Sequence, residues 1–252
     1  MKKKILITGG AGFIGSNLID YLIGDDNIEL IRVIDNLSNG SKSNISRFLT
    51  NKKFEFIEGD IRNYDFCLKS IKNIDLVSHQ AALGSVPRSI EDPFTSFEVN
   101  IMGTLNILRA SKENNVERVV MAFSSSSYGN SEILPKKEDL IGDPLSPYAI
   151  TKLNNEHQAL VFNKIYGLNF IGLRYFNVFG PYQKPNSEYA AVIPLFIDNV
   201  INNKEIKIFG DGQTSRDFTF VENVCDINKI ALFTNNKKSL NQIYNVACGS
   251  QI

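Results

Sequence analysis

The chain has 252 residues, 43% hydrophobic and 21% charged, the usage of an ordinary folded protein and far from disordered or fibrous compositions. Its 27 basic residues balance 27 acidic ones, so no net field draws it to nucleic acid or an anionic membrane. The cysteines Cys67, Cys225 and Cys248 are odd in number and lack metal-type spacing, which disfavours a disulfide framework or a zinc site and fits a reducing cytoplasm. No run of about 18 apolar residues occurs, so membrane insertion is not expected.

The first apolar run, Ile5-Leu6-Ile7-Thr8, reads as a strand, because Gly9 and Gly10 end it too early for a signal peptide. It leads into Gly9-Gly10-Ala11-Gly12-Phe13-Ile14-Gly15 and a helix over 13–23. Glycines three apart suit a tight turn, a close backbone approach to a pyrophosphate, and tight packing of helix on strand. The new helix offers unpaired N–H groups and a positive dipole end to phosphates. Asp35 follows at the end of the next strand, 31–35, twenty residues past Gly15. That spacing lets a carboxylate accept from the adenosine ribose hydroxyls. Its charge, with Asn36 rather than arginine beside it, favours NAD over NADP.

Strands at 54–58 and 76–79 enclose a helix over 64–71, and Asp60, just past the first of them, is placed to meet the adenine. Helices are expected over 93–113 and 147–166, with strands at 119–123 and 170–173. Runs of this size, dense in β-branched and aromatic residues, suit a sheet covered on both faces. The alternation predicts an α/β fold with a doubly wound parallel sheet of Rossmann type. After Asn177 the texture turns to Pro, Gly and Asn, followed by a helix-like 192–201, as in a smaller C-terminal lobe. The strand-like 243–246 then returns to the main sheet. These features place a discontinuous cofactor domain over 1–176 and 217–248, and part of a substrate lobe over 177–216.

Ser146-Pro147-Tyr148 reads as a helix start, with Ser146 as the cap. Tyr148 and Lys152 then share one helix face. Tyr148 is the only tyrosine with a lysine four residues on. A phenol with a reference pKa near 10 needs a drop of ~3 units, about 4 kcal/mol, to act as a base at neutral pH. A neighbouring ammonium and a positive nicotinamide ring are expected to supply it. Ser124, directly after the strand at 119–123, would hydrogen-bond a substrate oxygen beside that base.

Ser124, Tyr148 and Lys152 following the glycine fingerprint resemble the extended short-chain dehydrogenase/reductase superfamily, specifically its NAD-dependent nucleotide-sugar epimerases. The resemblance also rests on His79-Gln80-Ala81-Ala82, Asn100 to Thr104, Arg174 to Pro181, and Gly210-Asp211-Gly212 leading to Arg216-Asp217-Phe218. It implies that Ser124, Tyr148 and Lys152 are the catalytic residues. Gly9, Gly12, Phe13, Ile14, Gly15, Asp35, Asn36, Asp60, Ile61, Gln80, Ala81, Ala82, Asn100, Tyr148, Lys152 and Tyr175 would contact or support NAD. A UDP-sugar would meet Gly84, Ser85, Ser124, Ser125, Ser126 and Tyr148, with Asn177, Val192 and Arg216 on the nucleotide diphosphate. A guanidinium fork such as that of Arg216 suits phosphate oxygens independently of the resemblance. His79 is expected to be a packed or hydrogen-bonded histidine, and with His157 as the only other one no metal site is expected.

The 4,6-dehydratases of this superfamily carry Asp-Glu after the triad hydroxyl, whereas Ser125 and Ser126 stand here. Hydroxyls cannot perform that acid and base work near neutral pH, so 4-epimerisation is the reaction expected. The stretch from His79 to Ser89 looks like the UDP-N-acetylglucosamine 4-epimerases of bacterial surface-polysaccharide biosynthesis. Relatives confined to UDP-glucose and UDP-galactose carry lysine where Gly84 stands. A UDP-glucose 4-epimerase, a 4-reductase, a UDP-sugar decarboxylase and a non-catalytic NAD-binding sensor remain as alternatives. The resemblance further implies a homodimer through the helices at 93–113 and 147–166, and a substrate lobe that continues beyond residue 252.

Overall fold

The computed structural model describes residues 2–184, 191–208, 211–250 and 252; Gly210 of the Gly210-Asp211-Gly212 motif lies outside them. The chain opens with β1 (Lys3–Thr8), α1 (Phe13–Leu22), β2 (Ile28–Asp35) and the short helix α2 (Lys42–Ile45). Then come β3 (Phe54–Glu58), α3 (Tyr64–Ser70), β4 (Leu76–His79) and α4 (Val86–Glu91). The helix expected over 93–113 is instead three pieces: α5 (Pro93–Phe97), a wide π-turn over Glu98–Met102, and α6 (Gly103–Glu113). Such wide turns occur often at functional sites, and this one contains Asn100.

β5 (Arg118–Ser124) and α7 (Pro147–Tyr166) follow. Ser146 caps α7 by accepting from the Ala149 amide at 3.1 Å, with Pro147 in the first turn. Gly167, at φ +68°, ends the helix in the left-handed conformation that glycine adopts without strain. The remainder is β6 (Phe170–Tyr175), β7 (Val178–Phe179), α8 (Val192–Ile201), β8 (Thr219–Phe220), α9 (Val221–Phe233) and β9 (Gln242–Val246).

Seven strands form one sheet in the order β3-β2-β1-β4-β5-β6-β9, and every pairing is parallel. β7 and β8 pair separately. Alternating side chains feed two cores, as the two-residue period of a strand requires. Ile5 and Ile7 pack with α1 and α9 on one face, and Leu6 packs with α3 and α6 on the other. The chain reverses direction across the sheet between β1 and β4. Thr8, His79, Ser124 and Tyr175 therefore end neighbouring strands on one edge, where sheets of this topology place their ligands.

Behind that edge lies a buried ion pair. The Arg174 Nε and Nη2 groups each donate at 2.8 Å to one oxygen of Glu156, and both side chains are only 3% exposed. Ser127 Oγ donates to the same carboxylate at 3.0 Å, and Arg174 Nη1 donates to Tyr128 Oη at 3.1 Å and the Glu138 carbonyl at 2.8 Å. Removing one partner leaves the other charge buried and uncompensated, which costs about 3–5 kcal/mol. Arg174→Leu is therefore expected to lose about that much unfolding free energy in urea titration, whereas a loss below about 1 kcal/mol would contradict the pairing.

Candidate active site

One cleft of about 1090 Å³ runs along the strand ends. Its floor at one end is the glycine loop. Gly9 has φ +68°, and a Cβ there would stand 2.7 Å from the Ala81 backbone. A Cβ at Gly15 would come within 2.3 Å of the Gly9 carbonyl oxygen, and one at Gly12 within 3.2 Å. Only bare backbone fits this cradle. Helix α1 starts directly after Gly12 with no side-chain cap, so its first N–H groups remain available to phosphate oxygens.

Asp35 lines the same cleft. Its Oδ2 accepts from the Ala11 amide at 3.0 Å and its Oδ1 from the Leu37 amide at 2.8 Å. Burial raises the carboxyl above its usual range while these two bonds pull it down. A carboxylate offers about four acceptor sites, so two remain for ribose hydroxyls. Beyond it, Asn36 Nδ2 donates to Asp60 at 2.9 Å. The Arg62 side chain donates to Asp60 and holds that carboxyl down at about 2. Phe13, Ile14, Ile61, Gln80, Ala81 and Ala82 complete this half of the wall. The cradle, the free helix terminus and the carboxylate fit a dinucleotide.

Ser124, Tyr148 and Lys152 meet in the other half. Lys152 Nζ donates to the Ala122 carbonyl at 2.9 Å and lies 5.9 Å from the centre of the Tyr148 ring. Burial pushes the Lys152 ammonium down to about 8, opposed by Glu156 one helical turn on. Burial also raises the Tyr148 phenol above 10, and only the Ser124 hydroxyl opposes it. Among the chain's own groups, desolvation outweighs the Ser124 hydrogen bond.

Tyr175 closes the floor within a ring of polar groups. Asn228 Nδ2 donates to its hydroxyl at 2.7 Å, and that hydroxyl donates to Gln80 Oε1 at 3.2 Å. Gln80 Nε2 donates to Asn228 Oδ1 at 3.1 Å and to Ser78 Oγ at 2.9 Å. Asn228 was not foreseen from the sequence. It is the polar member of the buried face Val221, Val224, Cys225, Asn228, Ala231 and Leu232 of α9, and a lone amide at core spacing is the signal that marks it.

Ser125, Ser126, Gly84, Asn177 and Arg216 line the same cleft, while Val192 lines a hollow of about 240 Å³ beside Asn177 and Arg216. Ser85 does not reach the cleft. Its hydroxyl accepts from the Arg88 amide at 3.3 Å and caps α4. Asn100 is fully buried behind the wall, where it donates to the Leu83 carbonyl at 3.2 Å and accepts from the Leu83 amide at 2.8 Å. The described residues hold no cluster of three metal-ligating side chains and no helix long and apolar enough to cross a membrane.

Comparison with known proteins gives this geometry its class. Residues 5–247 match the NAD dependent epimerase/dehydratase family, and the chain belongs to it. It is an NAD-dependent enzyme of the nucleotide-sugar 4-epimerase group. The chain is 40% identical to a UDP-N-acetylglucosamine 4-epimerase from Methanobrevibacter ruminantium M1, solved with UDP-N-acetylmuramic acid. That match has a TM-score of 0.91 and covers 100% of this chain and 79% of that one. A UDP-glucose 4-epimerase from Thermotoga maritima, solved with UDP-glucose, is 34% identical at a TM-score of 0.90, over 99% of this chain and 78% of that one. The UDP-glucose 4-epimerase of Mycolicibacterium smegmatis is 36% identical over 225 residues, 88% of this chain and 71% of the relative.

The phenol's position above 10 gives a direct test. In the protein alone, the difference in absorbance near 295 nm between wild type and Tyr148→Phe is expected to give a phenolate midpoint above 10; a midpoint below that value would contradict the role of burial.

Proposed function

We propose that the chain inverts C4 of UDP-N-acetylglucosamine and UDP-N-acetylgalactosamine, with Tyr148 as the proton-transferring group. The observation that carries the choice of sugar is Gly84. A Cβ built there meets nothing within 4 Å, and its φ is not among the positive ones. The backbone does not require glycine, so the missing side chain is room within the cleft, suited to a 2-acetamido group.

NAD, when bound in the cradle, supplies the acceptor and donor of hydride at C4, and its positive ring charge favours the phenolate. Tyr148 takes the proton of the 4-hydroxyl and later returns one. Ser124 holds the same oxygen; its own Oγ accepts from the Ser126 amide at 3.1 Å, which leaves its proton free to donate. Lys152, fixed to the Ala122 carbonyl, keeps a positive charge beside the phenol at neutral pH. Asn177 and Arg216 hold the diphosphate while the 4-keto sugar turns to present its other face. Ser125 and Ser126 offer hydroxyls only, which supports inversion over loss of water.

The chemistry is tested by following C4 configuration with NMR. Tyr148→Phe is expected to lower turnover by at least about 10²-fold while retaining NAD. Near-normal inversion by this variant would sink the assignment, and a 4-keto-6-deoxy product from wild type would reassign the enzyme to dehydration. Gly84→Lys should cost the acetamido substrates about tenfold or more by overfilling the cleft, about 1–3 kcal/mol, and spare UDP-glucose. Equal losses on both would remove Gly84 as the support for this choice of sugar.

We also propose a cytoplasmic homodimer through α5 and α7, which pack together. Ile150, Val161 and Ile165 form one exposed stripe of α7, and Phe94 of α5, 84% exposed, and Met102 of the wide turn are exposed on elements packed against it. A second copy presenting the same stripe would bury it. Sedimentation should give twice the chain mass for wild type and a shift toward monomer for Phe94→Glu; a monomeric wild type would refute the pairing.

A further inference from the structure

Behind the cleft, a chain of hydrogen bonds runs from β1 to the backbone of Tyr148, and the direction of each bond is fixed. The Thr104 hydroxyl lies 2.6 Å from the Asn100 carbonyl, which can only accept, so the hydroxyl proton is committed there. His79 Nε2, 2.9 Å from the same hydroxyl oxygen, must therefore donate to it. On the far side of the ring, His79 Nδ1 stands 2.8 Å from Thr8 Oγ1. That oxygen already accepts from the Ala81 amide at 3.1 Å, so its proton is free to go to Nδ1. A neutral ring with its proton on Nε2 satisfies all four bonds, whereas an imidazolium would lose the bond from Thr8.

The chain continues on the other side of Asn100. Its Nδ2 donates to Thr151 Oγ1 at 3.1 Å, and the Thr151 hydroxyl donates at 2.7 Å to the carbonyl of Tyr148. The Tyr148 amide is held separately by Ser89 Oγ at 3.0 Å. Thr8, His79, Asn100, Thr104 and Thr151 are all buried, where an unmet donor or acceptor is costly and a completed network is rigid. The Asn100 backbone belongs to the wide turn between α5 and α6, a distortion that an ordinary helix would relax unless something held it.

We propose that His79, as its Nε2–H tautomer, and Thr104 are positioning residues that hold the Asn100 turn and, through Thr151, set the placement of Tyr148 against the substrate. This rests on the reading of Tyr148 as the proton-transferring group. His79 touches neither substrate nor cofactor in this role. Burial and the charge of Lys152 keep its ring neutral, with the imidazole pushed down to about 3, so the direction of the chain does not change over the working pH range.

Two measurements test it. The protein has only two histidines, and His157 is exposed, so nitrogen-15 spectra of the labelled rings contain an internal reference. From pH 5 to 9, His79 is expected to show the Nε2–H tautomer without titrating. A proton on Nδ1, or titration of His79 near 6.5, overturns the proposal even if no variant folds. In kinetics, Thr104→Val keeps the shape and removes the hydroxyl. It should lower kcat by about tenfold to a hundredfold, the effect of a small misplacement, with KM and NAD affinity within about threefold. Thr104→Ser should restore kcat. Full kcat in a Thr104→Val protein that merely melts earlier overturns the proposal. Tyr148→Phe, assayed in parallel, separates the two readings: if it retains turnover, the assignment of Tyr148 falls, and if it is dead while Thr104→Val is fully active, only the positioning chain falls.

Discussion

Lys152 carries its charge inside the protein, and much of the surrounding structure is arranged so that the charge can remain there. An ammonium removed from water loses several kcal/mol of hydration unless charged or polar neighbours replace it. The Ala122 carbonyl provides one bond, and Glu156, one turn along α7, provides the counter-charge. Glu156 is itself buried, and Arg174 and Ser127 complete its hydrogen bonding. Arg174 in turn reaches Tyr128 and the Glu138 carbonyl, while Tyr128 and Glu138 both bond Asn245 of β9. The segment joining β5 to α7, which lines the cleft through Leu134 and Lys136, is thereby fastened to the same network that supports the lysine.

The electrostatics of Tyr148 follow from the same burial. A site dry enough to strengthen hydrogen bonds to a reacting sugar is also dry enough to disfavour a phenolate. Here the second effect prevails among the chain's own groups. In the proposed mechanism, a positive cofactor ring held in the cradle would supply the remaining compensation, with Lys152 beside the phenol. With Tyr175 locked between Asn228 and Gln80 and raised well above its ordinary pKa, a second phenol near the same chemistry is prevented from competing for the proton.

Most of the sheet was legible because its strands are nearly continuous apolar runs, and the glycine loop because its spacing is a steric requirement that the close approaches at Gly9 and Gly15 make explicit. Other features gave weaker signals. Helix α9 begins without a side-chain cap, and α4 and α5 are separated only by Asp92. The wide turn at Asn100 is bonded to Thr104, Leu83 and Thr151, which no local pattern announces. Arg174 could have been noticed, since a guanidinium in the fully buried strand Phe170–Tyr175 demands a partner. Finding Glu156 as that partner needed the fold. Ser85 caps α4, since a hydroxyl at a helix start readily satisfies its own helix.

These features divide the cleft into two kinds of site. The dinucleotide half is made from absences: glycines without side chains, and a helix terminus without a cap. The other half is made from anchored residues: Lys152 bonded to a carbonyl with the Glu156 charge nearby, and Tyr148 with its backbone amide and carbonyl both engaged. The difference suits their tasks. A tightly held cofactor needs a surface its phosphates can approach, whereas a sugar that must turn between two half-reactions needs reactive groups that stay still while it moves. Gly84 belongs with the first kind in the proposed reading: it contributes open space to the cleft wall rather than a contact.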